Sequence, residues 1–281
     1  FNGDEIPTVE TDELSSTKGD LKGYDYFEKK RTAQSDDHFI ARFKMPSKLG
    51  GKLHLDLWMK GYDERVIFNA EAPYSRAIDE ESVPEELYHK PLPVLVVRQT
   101  GEARTRPFVA ILDAFNGLEG RSVTKVGYFS PDNENPGFVG VKVQSVNDRY
   151  DLIFNDESPD SENFFEHGEF RGRYGVMSKV GKEFHSMLLN SGTLFEHGNM
   201  RIEIPGSPGD VFVNHNPEGF EIDSPQPFVL TIPIDEGDKG VLEILSQGDK
   251  KVFKGKITQR DKIRLATFEL PALNRAKLIA K

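Results

Sequence analysis

From residue 38 to the C terminus the chain alternates apolar and polar side chains with a period of two, as half-buried strands do. In KLHLDLWM (52–59), Leu53, Leu55, Leu57 and Met59 share one face, while His54, Asp56 and Trp58 share the other. The same alternation predicts strands over 38–45, 65–70, 93–99, 107–115, 122–130, 137–144, 150–155, 173–178, 184–190 and 200–204. Turn-forming clusters separate them, such as SKLGG at 47–51 and PDNENPG at 131–137. No window of ten or more residues keeps a 3.6 period with caps. The best helical candidate is a short turn over 84–88, with Pro84 at the first helical position. Many short strands with Gly and Pro turns predict an all-β fold, a large antiparallel two-layer β-sandwich.

The stretch NHNPEGFEIDSPQ (214–226) reads as a seam. After it come compact strands over 228–234, 240–246, 251–257, 262–270 and 276–280, enough for a small second sandwich that leans on its neighbour. The first residues, with TVETDELSSTKGD, are polar and read as an irregular lead-in or strap. The expected division is therefore 1–36, 37–215 and 216–281. No internal repeat of fixed period is present.

Composition narrows the chemistry. With 281 residues, 37% hydrophobic and 10% aromatic, the chain can build a core and is not globally disordered. It has no Cys, which excludes disulfides, a thiolate zinc site and a cysteine nucleophile. No apolar run approaches the ~20 residues of a membrane helix. The 36 Lys+Arg against 46 Asp+Glu give a net charge of −10, which argues against a general nucleic-acid binder. The chain starts Phe1-Asn2-Gly3, without Met, and is expected to be a processed chain or the C-terminal piece of a longer one.

Few residues suggest a site. His54 and Asp56, two apart on one strand, are adjacent on one face. They read either as the polar outer face of a half-buried strand or as two metal ligands, with His167, His185 or Asp151 as candidates for a third. Trp58 on the same face could stack on a sugar ring or be buried. His167 and His197 sit in Glu-His-Gly triplets that suit turns. No G-x-S-x-G, phosphate loop or dinucleotide signature occurs, and the carboxylates at 79–81 and 85–86 read as solvated surface.

Taken in order, HFIARF (38–43), GGKLHLD (50–56), FNAEAP (68–73), LVVR (95–98), PFVAILDAF (107–115), the 123–129 strand, FRGRYGV (170–176), MLLNSGTL (187–194) and GDVFV (209–213) form a recognisable string of β units. It resembles the C-terminal β region of the heparinase II/III-like polysaccharide lyases, a group that includes alginate and glycosaminoglycan lyases. The resemblance implies a bacterial, secreted or periplasmic enzyme in which an N-terminal α/α-toroid packs on a large sandwich. It also implies β-elimination at a uronic acid: a Tyr or His removes the C5 proton, the carboxylate is neutralised, and a general acid protonates the leaving oxygen. The catalytic Tyr and His belong to the toroid, which this sequence does not contain, so the resemblance assigns no catalytic residue here. In some relatives the sandwich lends a His to the cleft or holds a structural metal. By resemblance His54 matches such a position, with Asp56 beside it as ligand of a structural Zn or Ca ion, and His54 and Trp58 facing substrate. The implied partners are a polysaccharide and the toroid. The contrasting reading is a stand-alone carbohydrate-binding or adhesive sandwich with an aromatic platform at Trp58, Tyr62 and Tyr74; a third treats the acidic surface as solubility alone.

Overall fold

The computed structural model describes residues 8–12, 17–18, 24–34, 38–46, 52–73, 91–101, 106–129, 135–217, 219–246 and 249–280. The turn expected at 84–88 and Tyr74 lie outside these residues. Among the described residues the structure is all β with no helix, and its strands pair antiparallel, as the alternation requires. The chain divides into two compact units, 1–123 and 124–281.

The N-terminal unit holds two four-stranded sheets. One runs β1 (Thr8–Asp12), β4 (Phe39–Pro46), β5 (Lys52–Met59), β8 (Ala110–Asn116). The other runs β2 (Thr17–Lys18), β3 (Glu28–Gln34), β6 (Val66–Ala72), β7 (Leu92–Arg98). Phe39, Ala41 and Met59 of the first sheet meet Ile67 of the second, with Leu57, Leu95 and Val97 packed around them. Three strands thus lie within the stretch expected to be irregular. The edge strands β1 and β2 need only a backbone partner, which β4 and β3 supply, and show little apolar alternation of their own, while β3 is held between β2 and β6. Arg65 is fully buried and ties the loops together. Its guanidinium donates to the Lys60 carbonyl at 2.6 Å, Gln99 Oε1 at 3.0 Å and the Arg106 carbonyl at 3.2 Å. The Tyr62 and Phe108 rings lie 4.5 and 4.6 Å from it.

The C-terminal unit is one hydrogen-bonded network of fifteen strands folded into two layers. The folding is done by two long strands, β13 (Gly168–Val180) and β14 (Glu183–His197). The second half of β13 and the first half of β14 continue through β11 (Arg149–Asp156), β10 (Phe138–Ser145) and β9 (Val123–Phe129) on one side. On the other side they continue through β16 (Gly209–Asn216), β17 (Gly219–Ser224), β23 (Leu273–Ala280), β19 (Val241–Ser246) and β20 (Asp249–Lys254). The remaining halves pair instead with β12 (Asn163–Phe165) and β15 (Met200–Glu203), and through β15 with β18 (Phe228–Ile234), β22 (Ile263–Leu270) and β21 (Lys256–Arg260).

The bend coincides with register shifts at Arg171/Gly172 and between Leu189 and Gly192. Gly172 and Gly192 are paired there, and a Cβ on Gly192 would lie 2.6 Å from the Arg171 carbonyl oxygen and 2.8 Å from Gly172 Cα. Between the layers sits a core rich in Phe, in which the Phe154 ring meets Phe165 at 4.7 Å, Phe170 at 5.4 Å and Phe195 at 5.3 Å. The same core takes in Ile222, Phe228, Leu242, Phe268 and Ala276.

The units thus divide at 123/124, not at the 36/37 and 215/216 boundaries suggested by composition. The seam at 214–226 contains β17, and the strands beyond it hydrogen-bond to β15 and β16 directly or through neighbours. A polar strand such as GFEIDS, with only Ile222 and Ser224 turned inward, is indistinguishable from a loop until its partners are known.

Candidate functional site

The sequence-nominated face of β5 is a closed ion cluster. Asp56 is fully buried between two guanidinium groups. Arg42 of β4, its cross-strand neighbour, donates Nε to Oδ1 at 2.6 Å and its terminal nitrogen to Oδ2 at 2.7 Å, and Arg121 Nε stands 2.8 Å from Oδ2. Arg42 lies 5.5 Å from the Phe115 ring, and Arg121 lies 5.7 Å from the Trp58 ring. His54 stacks on Phe115 at 5.0 Å. Burial, then Arg42 and Lys44, holds its pKa below the usual histidine value. The Nδ1 of His54 and Nε1 of Trp58 are buried without a hydrogen-bond partner.

As metal ligands this pair does not fit: both Asp56 oxygens already accept from guanidinium, and cations surround His54. Among the described residues no three of His, Asp and Glu converge on a point where a metal ion could sit. The other candidates are scattered. His185 is exposed on β14, His167 sits in a turn at φ 66°, and Asp151 accepts from Arg149 and Ser178. Tyr62 lies under Lys60 at 4.7 Å as well as Arg65, and Trp58 lies 5.7 Å from Arg121.

A second cluster, not anticipated from the sequence, lies in the C-terminal unit. Tyr150 and Lys179 are cross-strand partners on β11 and β13, and Lys142 stands on β10 opposite Leu152. The two ammonium groups lie 4.9 Å (Lys142) and 6.0 Å (Lys179) from the centre of the Tyr150 ring. His197, at the end of β14, stacks 6.2 Å from Phe165. Burial raises the pKa of the Tyr150 phenol, so it stays protonated and able to donate a hydrogen bond. Burial, and then Lys142, lowers Lys179. Burial followed by Lys179, His167 and Lys142 pushes His197 down to about 4. The charges that bear on His197 are thus all cationic, in a chain whose net charge is −10. Glu196, its neighbour, faces the other way. Burial alone would raise its pKa, but hydrogen bonds from Arg260 at 2.8 Å and Arg201 at 2.5 Å outweigh it and hold it low.

The lowered pKa of His197 has a thermodynamic consequence. Its folded value lies below the unfolded one, so its contribution is fully present above pH 6.5 and is lost as pH falls from 6.5 through about 4. After allowance for its partial exposure, the C-terminal unit should lose about 1 kcal/mol more between pH 7 and pH 5 than His197→Phe does. Urea melts at the two pH values measure this, and equal losses would contradict it.

On β10, Val141 and Val143 are buried on one face, and Lys142 lies on the other. The register sets Lys142 in line with buried Leu152 and Met177, on the same side as Phe138 and at the margin of the Phe-rich core. A lysine and a tyrosine at the margin of a core are not visible as a pair until β10, β11 and β13 are aligned.

Lys142, Tyr150, Phe165, Lys179 and His197 all fall in a segment that matches a known family. Residues 126–214 match the family model described as the endo-acting ulvan lyase C-terminal domain, a polysaccharide lyase module. No curated protein and no solved structure gives a significant match to the chain.

Proposed function

We propose that this chain is the C-terminal β-sandwich portion of a polysaccharide lyase that cleaves a uronic-acid-containing polysaccharide by β-elimination. On this reading it supports an N-terminal catalytic α/α-toroid of the heparinase II/III-like kind, in a secreted or periplasmic enzyme, and holds the acidic chain on Lys142, Lys179 and Tyr150. One observation carries the reading: the family match spans the stretch that gathers two ammonium groups around one tyrosine. Burial first, and then the like charge of Lys142, lowers the Lys179 pKa, and a carboxylate placed beside the two ammonium groups relieves that repulsion. The Tyr150 phenol, kept neutral by burial, donates to the same carboxylate or to a sugar oxygen. Among the described residues no helix is long and apolar enough to cross a membrane.

The test is electrophoresis of the chain through gels containing ulvan, alginate or neutral dextran. Retardation is expected in the acidic gels alone, falling about tenfold in apparent affinity for Lys142→Ala/Lys179→Ala and weakening with salt. Equal retardation of the double variant, or equal retardation in dextran, would sink the proposal.

A further inference from the structure

The solvent side of the C-terminal unit carries a groove of about 690 Å³, in the size range of small-ligand clefts. We infer that this groove, formed across β14, β16, β17 and the start of β23, is a subsite for an uncharged sugar residue, separate from the cationic cluster.

The floor is apolar and set by register. On β16, Val211 and Val213 turn into the core, which leaves Asp210 and Phe212 outward. Leu188, Phe212 and Asp223 stand in one cross-strand row, and Leu273 borders it. Phe212 is 39% exposed, so its ring presents an apolar face to whatever occupies the groove. A pyranose ring offers a matching face of C–H bonds, and its hydroxyls need acceptors and donors around that contact.

The rim supplies them. Asn190 Nδ2 donates to Asp210 Oδ1 at 2.9 Å, and the Ser191 backbone N–H donates to the same oxygen at 2.7 Å. Two neutral donors therefore fix the Asp210 carboxylate without neutralising it. Asp223 and Asn274 complete the polar lining. Among the described residues neither Asp210 nor Asp223 forms an ion pair. Two carboxylates without an ion-pair partner accept hydrogen bonds from hydroxyls well and repel a uronate or a sulfate. Charge thus separates this groove from Lys142 and Lys179: one site rejects the group that the other attracts. The inference does not rest on the lyase reading, since it would hold equally for a binding module.

Isothermal titration of the whole chain with xylotetraose, cellotetraose and tri-galacturonate tests it. At least one neutral tetrasaccharide should bind, with Phe212→Ala weakening it at least about tenfold and Phe212→Trp retaining it. Lys142→Ala/Lys179→Ala should leave that binding unchanged, and Phe212→Ala should leave retardation in the ulvan gel unchanged. The two sites can therefore fail independently. No binding of either neutral probe at 10 mM, tri-galacturonate binding that depends on Phe212, or a calcium titration showing saturable binding lost in Asp210→Asn would each overturn the assignment.

Discussion

Asp56→Ala is expected to destabilise the N-terminal unit by about 3–5 kcal/mol, because it removes a fully buried carboxylate that two partly buried guanidinium groups share. The pair is costly to break rather than valuable to have. Arg42 and Arg121 are about one-fifth and one-third exposed, and each is laid against an aromatic ring. Without Asp56 each guanidinium loses a short charged contact that its partial burial keeps water from replacing in full. Arg42→Met in the Asp56→Leu background should therefore recover part of the loss, as the charges leave together. Chemical melts followed by Trp58 fluorescence measure these effects, since the chain has a single tryptophan and it lies beneath Arg121. The same experiment separates ion pairing from metal ligation. EDTA should leave the wild-type melt where it is, and a downward shift, or a loss below about 1 kcal/mol in Asp56→Ala, would contradict the ion-pair account.

Gly192→Ala should cost the C-terminal unit about 2–3 kcal/mol, a large penalty for one methyl group. The new Cβ would meet the Arg171 carbonyl oxygen at 2.6 Å, Gly172 Cα at 2.8 Å and Leu189 Cδ1 at 2.5 Å. Two of these are backbone atoms, so no rotamer change relieves the crowding. Because β13 and β14 pass from one layer to the other at this point, relief requires opening the bend itself. Gly198→Ala is the matched control. It sits at φ 64° with open space around it and should lose only about 1 kcal/mol from backbone strain. Equal losses for the two variants in thermal melts would show that conformational freedom, not close approach, is what the bend requires.

These predictions draw unequally on what the sequence discloses. Most strands are legible because alternation is a local property, and β18, expected over 228–234, forms over Phe228–Ile234. The long strands are read only in part. Windows at 173–178 and 184–190 caught the middle of β13 and the start of β14, and the rest was hidden because Gly172 and Gly192 look like strand breakers. In the pair they are what lets two strands continue around a corner. Likewise, 251–257 read as one strand but divides at Gly255 into β20 and β21. A Cβ there would lie 2.7 Å from the Phe268 ring, so that residue marks a close approach rather than a place in a strand.

The candidate sites show the same division. His54, Asp56 and Trp58 could be placed on one face from their spacing alone, and Asp56 and Trp58 turn to the same side of β5. What that face does depended on Arg42, fourteen residues earlier, and Arg121, far later, both brought to Asp56 by pairing and a loop. Lys142, Tyr150 and Lys179 likewise stand on three different strands. The strand-rich, cysteine-free, acidic character of the chain follows from composition and period, since each residue contributes to those on its own. Where the chain divides, which carboxylate is neutralised and which lysines converge are decided by register between strands distant in sequence, because a side chain's charge environment is set by its neighbours across the sheet.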